Sequence, residues 1–224
     1  MSIYNPAIFS IDPAETKRYA GLQKTEFNPR LIEEACTEAQ LLIQPKGIWH
    51  IYEYEAASQL ILPQEISLQG KSIGRHLKDS HKVAVLAATV GETIENQVTK
   101  SFEEGRYSFS ILLDAAATTA VEALADSMEK SIFSEVKRQG LSMTWRFSPG
   151  YGDWPIQQQP EILALAQGEK IGIQLTESLM LMPRKSITAV IGLYHAPAVC
   201  CLPAEKKPHC HQCDKLNCPA RRDN

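Results

Sequence analysis

Residues 108–138 read SFSILLDAAATTAVEALADSMEKSIFSEVKR, with neither glycine nor proline. The spacing predicts one long helix, stopped at Gly140, whose many alanines allow neighbouring backbones to approach closely. Working outward, KVAVLAATV (82–90) predicts a buried strand, Gly91 breaks it, and ETIENQVTKSFEEG (92–105) predicts a polar surface helix. Farther upstream, KSIGRHLKDS (71–80) reads as a helix, while ISL (66–68) and the aromatic, β-branched GIWHIYEYEA (47–56) read as strands. PRLIEEACTEAQLLIQP (29–45) carries a stripe of Leu31, Ile32, Ala35, Ala39 and Leu42, ended by Pro45. Downstream, LSMTWRF (141–147), KIGIQL (170–175) and SITAVIGLYHA (186–196) read as strands around a short helix in QQQPEILALAQG (157–168). Strands and helices do not alternate strictly. The expected class is therefore α+β, a twisted antiparallel sheet with flanking helices, rather than a doubly wound parallel sheet.

The 224 residues suffice for a buried core, and 44% hydrophobic with 22% charged residues is an ordinary globular composition. Twenty-three basic against twenty-six acidic residues give a net charge of −3, which argues against a nucleic-acid surface. Apolar runs such as VAVLAATV are too short to span a bilayer. MSIYNPAIFSIDPAETKR lacks the pattern of a secretory signal, so a cytoplasmic location is expected.

The segment RFSPGYGDWP, Arg146 to Pro155, is the first candidate for ligand chemistry. Gly150 and Gly152 permit positive φ and close backbone approach, and Pro149 and Pro155 stiffen the loop. Arg146 offers a planar fork suited to a carboxylate, while Tyr151 and Trp154 can stack on a flat ring. The plainer reading is a rigid turn with aromatic packing. On the long helix, Glu122 and Asp126 lie four apart and share a face, a solvated acidic surface unless a cation sits nearby. In QLTESLMLMPRKS (174–186), Thr176, Glu177 and Ser178 read as a polar pocket floor or a helix N-terminus, and Leu179 to Met182 as core.

RFSPGYGDWP, a short helix, and IGIQLTESLMLMPRKSITAVIG together resemble the C-terminal activation domain of cobalamin-dependent methionine synthase. Arg146, Gly150 and Tyr151 match that family's Arg-x-x-x-Gly-Tyr segment, and Leu175 to Ser178 its Leu-Thr-Glu-Ser turn. The Ala-rich helix resembles the family's acidic helix, and the likeness extends over about residues 80–195. It implies binding of S-adenosylmethionine, whose methyl group re-methylates oxidised cob(II)alamin with an electron from a reductase or flavodoxin. By the same resemblance the cofactor-binding residues are Arg146, Ser148, Gly150, Tyr151, Asp126, Glu122 and Glu177, with no catalytic acid or base.

Two departures shape the expectation. The cobalt-ligating Asp-x-His-x-x-Gly of corrinoid proteins finds only DSHKVA, Asp79 to Ala84, with alanine in place of glycine, so His81 reads as a surface residue. Cobalamin would then be carried by a partner, and the chain reads as a stand-alone activation subunit of a split methionine synthase or related corrinoid methyltransferase. The second departure divides the chain into residues 1–198 and a Cys-rich tail, 199–224. The tail holds C-x2-C-x4-C at Cys210, Cys213 and Cys218, with Cys201 or Cys200 as a fourth thiolate and His209 or His211 as substitutes. Such a set suits an iron–sulfur cluster or structural zinc, the cluster being favoured because reactivation needs an electron; unligated thiols are the plainer reading. The alternatives for the whole chain are an iron–sulfur reductase of a corrinoid protein and a metal-stapled interaction module.

Overall fold

Asp12 accepts the N–H of Ala14 while Pro13 fills the first helical turn, and this cap starts α1 (Pro13–Tyr19). Asn28 and Pro29 repeat the device for α2 (Pro29–Leu42). The structure is a computed structural model and describes residues 3–6 and 10–195. After α2 come β1 (Lys46–Glu55), β2 (Leu60–Leu62), β3 (Ile66–Ser67), α3 (Lys71–His76) and β4 (Lys82–Thr89). Then follow α4 (Thr93–Glu103), α5 (Tyr107–Lys137), β5 (Leu141–Met143) and α6 (Gln159–Ala166). A small hairpin of β6 (Gln174–Leu175) and β7 (Leu181–Met182) precedes β8 (Ser186–His195).

The principal sheet has six strands in the order β3-β2-β1-β4-β8-β5, and every pairing is antiparallel. This is the expected α+β class. Strand β4 lies between β1 and β8, and its alternating side chains feed two separate cores. Ala84, Leu86 and Ala88 pack with α2 and α5 residues such as Ala35, Ala116, Ala120 and Leu124. Val83, Val85 and Ala87 pack on the other face with Ile73, Trp154, Ile162 and Leu163. A strand buried on both faces needs apolar residues at every position, which is why KVAVLAATV shows no polar alternation.

The alanines of α5 do what the sequence suggests. Ala116, Ala117 and Ala120 have no exposed surface, and a Cβ on Gly47 of β1 would fall 2.4 Å from the sulfur of Met128. By length and composition α5 could cross a membrane, yet two-thirds of its most apolar window (67%) is buried within the domain. Its apolarity serves the core.

Four segments differ from expectation. Of KIGIQL only Gln174–Leu175 is extended, because Gly168–Ile171 closes a 3-10 turn between left-handed Gln167 (φ 57°) and Gly172 (φ 85°). LSMTWRF keeps regular pairing only to Met143. Leu179 to Met182 is core only in part: Leu181 packs half-buried against the second core, while Met180 is 60% exposed and β7 belongs to the small hairpin. His81 is half-buried rather than free on the surface, its ring stacked on His195 at 4.3 Å. Helix α1 and strand β2 had no counterpart in the sequence reading. The tail with Cys200, Cys201, Cys210, Cys213 and Cys218 lies outside the described residues.

Candidate functional site

Strand β5 pairs with β8 in register from Leu141↔His195 to Met143↔Leu193, and Thr144 N–H continues it onto Gly192 O. Pairing resumes at Phe147↔Val190. The edge chain thus advances three residues while β8 advances two, a β-bulge that re-aims Trp145 and Arg146. Two side chains satisfy the bulge. Thr144 Oγ1 accepts the Gly192 N–H at 2.9 Å, and the Nε2 of His76 donates to Trp145 O at 2.8 Å. Burial lowers the pKa of His76, consistent with a neutral ring whose proton sits on Nε2.

The bulge delivers Arg146 to the acidic face of α5. Its Nη1 donates to Asp126 at 2.5 Å and Glu129 at 2.7 Å, and its Nη2 to Glu122 at 2.5 Å. Arg146 is only 7% exposed. Burial alone would lower its pKa, but Glu129, Glu122 and Asp126 outweigh that and raise it, so the guanidinium stays charged. One buried cation thus serves three carboxylates of α5. The cation near Glu122 and Asp126 is therefore Arg146, and a third acid, Glu129, joins them.

The loop beyond Arg146 is fixed at its far end. Trp154 is 1% exposed and its indole N–H donates to Gln158 at 2.7 Å. It packs in the core and cannot stack on a ligand. Asp153 accepts the N–H groups of Ser72 (2.8 Å) and Lys71 (2.9 Å) at the start of α3. Hydrogen bonds from the Ser72 backbone and side chain, then from Lys71, hold its carboxyl down at about 2. Gly152, at φ 57°, has no room for a Cβ, which would lie 2.7 Å from Ser72 Oγ.

Between the α5 acids, the bulge and the β6–β7 hairpin lies a cavity of about 610 Å³. That is within the ~300–1,000 Å³ of small-molecule sites. Its aromatic surface comes from Trp145, Phe147 and Tyr151, and its aliphatic rim from Leu179, Met180 and Leu181. Gln159 and Thr188, joined by a 2.8 Å hydrogen bond, provide a buried polar patch. Partial burial, then the nearby Glu122 charge, raise the pKa of Tyr151. The charged lining residues are Glu122, Arg146 and Arg184.

Of the residues singled out from the sequence, Glu122, Arg146, Ser148 and Tyr151 line the cavity. Asp126 reaches it only through Arg146, and Gly150 turns its N–H to Trp154 O at 2.9 Å. Glu177 is exposed on the hairpin loop, away from the cavity lining. Thr176 and Ser178 bond each other in that loop, so no helix begins there. The sequence reading missed Trp145, Phe147, Gln159, Arg184 and Thr188. Trp145 and Phe147 flank Arg146 and were hidden by reading the whole segment as regular strand. Among the described residues, no group of His, Cys, Asp and Glu is arranged to hold a metal ion.

An antiparallel sheet with helices against both faces, and an aromatic cavity with Glu122 in its wall at the bulged edge, defines an α+β domain with a pocket of small-molecule size. Residues 72–199 match the family model for the activation domain of vitamin B12 dependent methionine synthase, and the chain belongs to that family. The fold is similar to that in a crystal structure of the MetH reactivation domain bound to AdoHcy, with a TM-score of 0.55 at 14% identity. The superposition covers 91% of this chain and 81% of that one. No curated protein matches the sequence.

Proposed function

We propose that this chain binds S-adenosylmethionine in the 610 Å³ cavity and supports reductive methylation of a cobalamin held by a separate methionine synthase or related corrinoid methyltransferase. The observation that carries this reading is the Glu122 carboxylate of α5 set beside aromatic rings in one cavity wall. A sulfonium and an ammonium are attracted to the Glu122 side, and an adenine can lie against Trp145, Phe147 or Tyr151. Membership of the activation-domain family and the AdoHcy held by the solved fold relative support the same ligand class.

The chain's task is binding and orientation. Its walls exclude water from the sulfonium and hold the methyl group toward the open mouth. Transfer would break the methyl–sulfur bond, its electron pair staying on sulfur to give S-adenosylhomocysteine, and form a methyl–cobalt bond with an electron pair of the partner's cobalt, once an external reductase or flavodoxin-like donor had supplied one electron to that metal. No side chain need exchange a proton, in keeping with a site whose one buried cation is permanently charged.

Calorimetric titration with S-adenosylmethionine and S-adenosylhomocysteine tests the binding. Saturable binding of both is expected, and no binding of either sinks the reading. Transfer of labelled methyl to a partner's cobalamin, in the presence of reductant, tests the reaction. We further assign the tail motif Cys210, Cys213 and Cys218, with Cys201, to an iron–sulfur cluster relaying that electron in the cytoplasm. Protein purified anaerobically should contain iron and sulfide; zinc alone would overturn the assignment.

A further inference from the structure

His76 does not line the ligand cavity, yet it braces two residues that do. Its ring stacks on Phe147, with centroids 5.0 Å apart and planes at 29°, and meets Trp145 edge-on at 4.7 Å. Trp145 and Phe147 line the 610 Å³ cavity, while His76 and Trp145 line a second cavity of about 440 Å³. The hydrogen-bond partners of the ring are Trp145 O at 2.8 Å and Thr144 Oγ1 at 3.0 Å, neither of them an anion. A carbonyl can only accept, so Nε2 carries a proton and the next proton taken up goes to Nδ1. Burial, outweighing the bond to Trp145, lowers the pKa of His76 below 6.5, and the ring is neutral at neutral pH. The charged and titratable groups around it are Arg75 on α3, Lys78 and Asp79 in the turn that follows, and Tyr194 and His195 on β8. His195 stacks in turn on His81. Asp153 is bound at the other end of α3, and the Arg146 guanidinium to α5.

We propose that His76 is a positioning residue of the ligand site: its neutral ring holds Trp145 and Phe147 in place, and its protonation weakens S-adenosylmethionine binding. The inference rests on S-adenosylmethionine as ligand and adds a regulation to that site. Two effects act in the same direction. A proton on Nδ1 sets a positive charge against the aromatic wall, where it repels the sulfonium. Burial also disfavours the charged ring, which leaves the bulge more readily and frees the Trp145 carbonyl. S-adenosylhomocysteine has no sulfonium and feels only the second effect. By linkage, a ligand that prefers the neutral ring makes that ring harder to protonate.

Two measurements on the wild-type chain test this. Calorimetric affinity for S-adenosylmethionine, followed from about pH 7.5 to about pH 5, should be level at first and then fall, with a limit of ~tenfold per pH unit for one linked proton. The fall should be smaller for S-adenosylhomocysteine. In NMR titrations the His76 ring should protonate at lower pH in the ligand-bound chain than in the free chain. His76→Gln should flatten the pH dependence of binding, and His195→Gln, at the other histidine of the second cavity, should retain it. An identical His76 titration with and without ligand would overturn the proposal, as would a pH dependence lost in His195→Gln but kept in His76→Gln. Either result would leave S-adenosylmethionine binding itself intact. The NMR comparison needs no variant, so it decides the matter even if His76→Gln does not fold. Failure of the wild-type chain to bind either compound at neutral pH would overturn both the ligand reading and this one.

Discussion

Two segments border the cavity and are held in opposite ways. The loop Arg146–Pro155 is tied to distant chain: Arg146 to α5, Asp153 to α3, Trp154 into the core. The hairpin loop 176–180 is tied mainly to itself, through Thr176 N–H to Met180 O, Leu179 N–H to Thr176 O, and Met180 N–H to Thr176 Oγ1. Its Leu179 sits at φ 64° and its Met180 is exposed. One wall is therefore part of the folding core and the other a local appendage. Charge and shape are fixed on the first, while the second can alter its apolar rim at small cost to the fold.

The sharpest break of this contrast is Trp154→Ala, which removes a fully buried indole and should cost about 4 kcal/mol in denaturant unfolding. A loss below ~1 kcal/mol would mean the loop is not part of the core. Next is Arg146→Met, which removes the cation shared by Glu122, Asp126 and Glu129 and should cost about 3 kcal/mol. Adding Glu129→Gln to that variant should restore part of the loss, since one repelling charge is gone. An additive pair would disprove the shared-cation account.

Asp153→Ala probes the same wall through pH. The folded carboxyl titrates at about 2, below the ordinary ~3.9 of aspartate, so its stabilisation is full above about pH 5 and is lost as pH falls toward 2. The melting-temperature gap between wild type and variant should narrow across that window. A gap independent of pH would exclude the charged cap. The smallest stability effect belongs to the hairpin: Met180→Ser should change unfolding by less than about 0.5 kcal/mol while weakening S-adenosylmethionine binding several-fold. A large drop in stability would erase the distinction between the two walls.

Length and composition made α2, α5, β1, β4 and β8 legible: α2 carries an apolar stripe, α5 a long alanine-rich run without Gly or Pro, and the three strands long apolar or β-branched runs. KIGIQL misled because two buried isoleucines, Ile171 and Ile173, imitate strand alternation while Gly172 at positive φ ends a 3-10 turn between them. Similarly, LSMTWRF hid the bulge, since the extra residue is defined by where β8 places Gly192 and Val190. Asp12-Pro13 was a readable start for α1, yet the helix is too short to show a stripe.

The sequence alone determined the long alanine-rich helix, the doubly buried central strand and the motif pair that point to the activation-domain family, because these depend on local spacing and residue type. Only tertiary structure decided the use of the charges. Glu122 and Asp126 looked like a solvated face until the bulge brought Arg146 between them and Glu129. Trp154 looked like a stacking platform until it was placed in the core, and Arg184, which the sequence did not single out, is set in the cavity wall by the β7–β8 turn. Electrostatic roles depend on through-space distance and burial, which the order of residues along a chain does not specify.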